Sequence, residues 1–121
     1  MHRDFDIRPP FFELGPKAYL YGQGVAELGA DLIKCFFTGD KFHEIVANTP
    51  IPMFTIGAEK LSTDVAVLKK AADSVAQGAR GIVFGRNIFM AKNPPVLIKA
   101  LNEVINEGAD PVATAKKHNL S

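Results

Sequence analysis

Leu32-Ile33-Lys34-Cys35-Phe36-Phe37 is a short apolar run with one lysine in its middle, flanked by Gly29-Ala30-Asp31 and Thr38-Gly39-Asp40. Its length and the turn-forming residues on either side predict a strand buried on both faces, as in a parallel sheet. Two more such runs follow. Pro50 and Pro52 bracket the start of a second strand over Ile51–Ile56, which Gly57-Ala58 closes, and a third covers Gly81–Phe84 before Gly85-Arg86-Asn87.

Helical patterns separate these strands. Asp40 predicts the cap of a short helix carrying Phe42, Ile45 and Val46. Ser62 or Thr63 opens the clearest helix, in which Leu61, Val65, Leu68, Ala72 and Val75 recur at helical spacing until Gln77-Gly78. Asn93-Pro94-Pro95 starts another, with Leu97, Leu101, Val104 and Ile105 on one face; Gly108 ends it, and Asp110-Pro111 begins a short last one. Upstream, Pro16–Leu28 is helix-compatible through Tyr19, Leu20 and Leu28, although Gly22 and Gly24 weaken it. Residues 1–15 mix charges, aromatics and a Pro-Pro pair without a period and predict an irregular segment, leaving 16–121 as one α/β domain. Strands and helices alternating with short connections argue for parallel strands joined by right-handed crossovers. A closed barrel and an open doubly wound sheet both satisfy that alternation.

Composition narrows the class. The 121 residues are 47% hydrophobic and 22% charged, an ordinary globular balance with room for one core. A formal charge of +1 gives no field of one sign, so neither nucleic acid nor a membrane surface is an expected partner, whereas a phosphorylated small molecule needs only local positive charge. One cysteine, Cys35, forms no internal disulfide, and no apolar run approaches a membrane span or a signal sequence; a reducing cytoplasm is the expected location.

Lys34 carries the first chemical expectation. A lysine in an apolar strand reaches the strand's end, finds a carboxylate, or loses its proton, and its neighbours Ile33, Cys35 and Phe36 offer no partner. A desolvated amine condenses with a carbonyl, and the resulting iminium draws electrons from the adjacent carbon–carbon bond. The competing reading is a strand-end lysine that snorkels to solvent. Alternation places Leu32, Lys34 and Phe36 on one face and turns Ile33 and Cys35 toward the helices, with Cys35 a small hydrophobe there.

Two strand-to-helix turns carry the second. Ile56-Gly57-Ala58-Glu59-Lys60 and Gly85-Arg86-Asn87-Ile88 let backbone N–H groups approach an anion, and Arg86 has the geometry to fork two phosphate oxygens. Taken singly, each turn is equally a strand end with a surface charge beside it. His2, His43 and His118 lack metal-ligand spacing and are expected at the surface, so no metal site follows. Nothing in the spacing of Asp40, Glu44 and Glu59 distinguishes them from solvated charges.

Gly29-Ala30-Asp31-Leu32-Ile33-Lys34, then Thr38-Gly39-Asp40, then Gly81-Ile82-Val83-Phe84-Gly85-Arg86-Asn87-Ile88-Phe89 together resemble the DeoC/LacD-like class I aldolases, from about Tyr19 to near His118. Within them the chain is similar to archaeal-type fructose-1,6-bisphosphate aldolases, aminodideoxyheptulosonate synthases and 3-hydroxy-5-phosphonooxypentane-2,4-dione thiolases. The resemblance implies a Schiff base on Lys34, a substrate phosphate held by Gly57, Ala58, Gly85 and Arg86, and no cofactor. Ala58 departs from the family's usual second glycine, and Ile56 stands where a small or polar residue is common.

A barrel of this kind has eight strands and typically about 250 residues, so three strands correspond to its C-terminal part, strands six to eight. The family's first-strand aspartate and fifth-strand tyrosine have no counterpart, since Tyr19 and Tyr21 precede Lys34 in a helical segment. Three functions follow as expectations: aldol cleavage of a phosphorylated ketose, acyl transfer by a thiolase acting on a phosphorylated diketone, or a non-catalytic remnant. An open fragment would expose its sheet edges and an inner face of Leu32, Phe36, Met53 and Val83, which predicts self-association into a homo-oligomer or partial disorder.

Overall fold

Apolar residues at alternate positions need one covered face, and Ile33, Cys35 and Met53 find it against the helices. The computed structural model describes residues 29–57 and 59–121. The irregular segment expected over 1–15, the helix expected over 16–28, and Ala58 lie outside the described residues.

Three short strands, β1 (Ile33–Phe36), β2 (Met53–Ile56) and β3 (Gly81–Val83), form a parallel sheet in the order β1-β2-β3. The register sets Ile33 beside Met53, Lys34 beside Phe54 and Gly81, Cys35 beside Thr55 and Ile82, and Phe36 beside Ile56 and Val83. Each strand is shorter than its apolar run. The flanking prolines account for part of this: Pro52 supplies the carbonyl that accepts from Ile33 N–H at 2.9 Å, and β2 begins only at the next residue.

The helices are α1 (Phe42–Ala47, after a 3-10 turn at Gly39–Lys41), α2 (Asp64–Ala76), α3 (Arg86–Phe89), α4 (Pro94–Glu107) and α5 (Pro111–Lys117). Three start at side-chain caps that the sequence announces. Thr63 accepts from Ala66 N–H, Asn93 from Val96 N–H and Asp110 from Ala113 N–H. Gly108 ends α4 in the left-handed conformation at φ 69°, open to a glycine without strain. Asp40 does not cap α1: it lies inside the 3-10 turn, and the residue before α1, Lys41, makes no side-chain cap. The short α3 was not legible as a helix in advance.

Burial is one-sided. Ile33, Cys35 and Met53 join Phe42, Ile45 and Ala79 in one apolar cluster, with Phe42 fully buried and contributing about 1.5–3 kcal/mol by area alone. A second cluster gathers Val67, Leu68 and Ala71 of α2 with Phe84, Leu97, Leu101, Val104 and Ala115. Both clusters involve the face of the sheet that carries Ile33, Cys35, Met53, Thr55 and Ile82. The expectation that β1 is buried on both faces is therefore corrected: Lys34 is exposed and Phe36 half-buried. Met53 is likewise moved from the open face to the covered one, since its register partner is Ile33. The open face carries Lys34, Phe36, Phe54, Ile56 and Val83. Cys35 faces the helix layer as its alternation predicts.

Candidate active site

Parallel pairing brings every strand's C-terminal end to the same edge of the sheet, where Phe36, Ile56 and Val83 lie in one register row. Gly57 follows directly on Ile56, and Gly85 stands two residues beyond Val83. Lys34 occupies the preceding row on the open face, two residues back along β1 from Phe36, or roughly 6.6 Å. Its neighbour Phe54 leans the other way: a Cβ added at Gly81 would meet the Phe54 ring at 3.0 Å, so the ring lies over Gly81 and away from β1. The lysine is left facing water.

The two turns differ in surroundings. Gly57 is buried, and a Cβ there would come within 3.0 Å of Asn87 Nδ2 and 3.1 Å of the Phe84 ring. Gly85 is exposed, with only the edge of Phe89 as near as 4.0 Å to such a Cβ, and Arg86 beside it is exposed as well. Ala58 is outside the described residues. The structure thus brings Gly57 and the Gly85-Arg86 turn to one edge, with Lys34 lower on the face that rises to it.

Asn87 ties the turns together, and sequence reasoning gave it no role. Its side chain is 1% exposed; Oδ1 accepts from Leu61 N–H at 2.7 Å, and Nδ2 donates to the Glu59 carbonyl at 3.2 Å. Lys70 is a second missed residue. From α2 its ammonium donates to the Gly57 carbonyl at 3.3 Å; burial pushes its pKa down, against the opposing charge of Glu59. No local pattern marks either residue, because their partners lie 13 to 28 positions away.

The histidines divide. His43 is exposed and bonded through Nδ1 to Gln77 and the Asp40 carbonyl, contacts that raise its pKa. His118 is not a plain surface residue: its side chain is 13% exposed and its Nε2 lies 2.9 Å from Glu103 Oε2, while Lys117 reaches the other oxygen at 3.0 Å. This group sits on α4 and α5, on the helical side of the fold. Among the described residues no cluster of three or more histidine, cysteine or acidic side chains has metal-ligand geometry. None of the described helices is long and apolar enough to cross a membrane.

Over 87 residues, 70% of its length, the chain is 36% identical to an uncharacterised aldolase of Saccharolobus solfataricus, covering 32% of that protein. It is 39% identical over 87 residues to the 3-hydroxy-5-phosphonooxypentane-2,4-dione thiolase of Escherichia coli O139:H28, covering 30% of that enzyme, and 35% identical over 82 residues to the thiolase of that name from Enterobacter sp. strain 638, covering 28%. The chain is a relative of the aldolases. Its fold agrees: a crystal structure of an archaeal fructose 1,6-bisphosphate aldolase superposes with a TM-score of 0.74 and 28% identity, over 78% of this chain and 39% of that one. No protein-family model matches. This aldolase relative spans about a third of the length of the curated proteins it matches.

Proposed function

We propose that the chain is the C-terminal part, strands six to eight, of a (β/α)8 class I aldolase, and that Lys34 is its imine-forming lysine. The observation that carries this reading is the placement of Lys34 on the open face of a parallel sheet whose C-terminal edge bears Gly57 and the Gly85-Arg86 turn. In the complete site Gly57, Ala58, Gly85 and Arg86 hold the phosphate of a ketose phosphate, using backbone N–H groups and the guanidinium fork. The neutral Nζ of Lys34 adds to the ketone, and loss of water gives an iminium. Removal of the β-hydroxyl proton by a base then breaks the carbon–carbon bond and releases the aldehyde. The electron pair of that bond becomes the double bond between the lysine-bound carbon and its neighbour while the iminium π pair passes to nitrogen, giving an enamine that protonation at the neighbouring carbon and hydrolysis return as free amine and ketone.

Acyl transfer on a phosphorylated diketone is the second reading, supported by the thiolases among the relatives. A non-catalytic module is the third, and the exposure of Lys34 to water is the observation that favours it. The apolar side chains exposed near the open face, Leu32 and Val83, support a further element of the proposal, that a second copy covers them. The cytoplasm as its setting belongs to the same reading.

Dihydroxyacetone phosphate with borohydride, followed by intact mass, tests the imine. Native chain and Lys34→Ala are compared, with circular dichroism confirming that both are folded. One reduced adduct on the native chain alone is the expected result. A folded native chain without an adduct removes the imine from this chain and leaves the non-catalytic reading.

A further inference from the structure

Two turns that share a ligand must keep a fixed separation, and here one buried side chain spans them. Asn87 belongs to the β3–α3 turn, yet both its hydrogen bonds reach the β2–α2 turn, at the Glu59 carbonyl and the Leu61 N–H. Gly57 closes on the same amide so nearly that a Cβ would lie 3.0 Å from Nδ2. One partner is an acceptor and the other a donor. An amide satisfies both at once, whereas a carboxylate accepts only and an aliphatic side chain does neither. Asn87 itself is 1% exposed, and either loss would leave a backbone group of the part-buried Glu59–Leu61 segment without its side-chain partner.

We infer that Asn87 is the positioning residue of the phosphate site: its amide locks the Gly57 turn to the Gly85-Arg86 turn and so sets the spacing at which a phosphate monoester is held. This rests on the proposed phosphate-binding role of those turns. Asn87 itself points into the protein and acts through the backbone it holds.

The test is a titration of the isotope-labelled full chain with inorganic phosphate at constant ionic strength, followed by NMR. In the native chain the Gly57 and Gly85 amides should shift with one midpoint, and the Leu61 amide and the Asn87 side-chain NH2 should follow it. Asn87→Asp keeps the acceptor for Leu61 and loses the donor to Glu59, so its phosphate Kd should rise by about tenfold, the equivalent of one buried hydrogen bond. Val104→Ala, which loosens α4 within the helical cluster and touches neither turn's hydrogen bonds, controls for lost stability and should leave the Kd unchanged. Native-like affinity in Asn87→Asp overturns the positioning role and leaves the phosphate site standing. So does a native titration in which Gly57 and Gly85 move while Leu61 and the Asn87 side chain stay still, a readout that needs no variant to fold. A native chain whose turn amides show no saturable shift overturns the phosphate site and the positioning role together.

Discussion

Gly57 lies so close to Asn87 that a methyl group at position 57 would stand 3.0 Å from the buried amide nitrogen. On the other side the Phe84 ring would be 3.1 Å away. Neither neighbour yields easily, since Asn87 is bonded at both ends of its amide and Phe84 belongs to the helical core cluster. Gly57→Ala should therefore destabilise the fold by about 1–3 kcal/mol, the usual range for overpacking. Urea denaturation of the two chains measures this; an unchanged midpoint would show that the turn relaxes freely.

Acid should loosen α5. His118, and then Lys117, hold the Glu103 carboxyl below its ordinary value of 4.5. Protonating Glu103 is thus harder in the folded chain than in the unfolded one. The stabilisation is complete above pH 4.5 and is lost as the pH falls through the lower folded value. Glu103→Gln removes this contribution, so its Tm should fall less than the native Tm between about pH 6 and about pH 3. Parallel curves would mean that the carboxylate contributes nothing.

Cys35 should be inert until the chain unfolds. Burial pushes its thiol up to about 12 from the ordinary 9.0, which cuts the thiolate fraction by about a thousandfold. A disulfide reagent at mildly alkaline pH should label the native chain far more slowly than the urea-unfolded one. Prompt labelling of the native chain would place Cys35 outside the helix-facing cluster.

Association should depend on the open side of the sheet. Leu32, just before β1, is 52% exposed, and Val83, at the end of β3, is 43% exposed. Leu32→Lys and Val83→Lys should lower the mass seen by light scattering and change stability by no more than about 0.5 kcal/mol, as exposed substitutions generally do. A native chain that is monomeric at all concentrations would remove the second copy from the proposal.

The succession of strands and helices and three helix starts were legible because Gly57, Gly78 and Gly108, with the prolines at 50, 52, 94, 95 and 111, punctuate the chain where elements change. The two-residue period of β1 was sufficient to turn Ile33 and Cys35 one way and Lys34 the other. It did not show that Lys34 would face water, because an apolar run carries no record of what covers its second face. Met53 was placed on the wrong side because its side follows from pairing with Ile33, which is tertiary information. Asn87 escaped notice for the same reason. Within Gly85-Arg86-Asn87 it is one polar turn residue among three, and only its contacts with Glu59 and Leu61, 28 and 26 positions away, set it apart.

The direction of the strands limits the symmetry of any assembly built on them. Among the described residues, β1 and β3 are the outer strands of the sheet and run the same way. Two copies joined β1 to β1 about a two-fold axis must pair antiparallel, and that interface closes at a dimer. Joining β1 of one copy to β3 of the next keeps every strand parallel, but the contact is head-to-tail, and each addition presents a fresh edge unless the rotation per copy completes a ring. The first arrangement gives a mass that saturates at two chains. The second gives either a ring of fixed number or a fibre whose length grows with concentration.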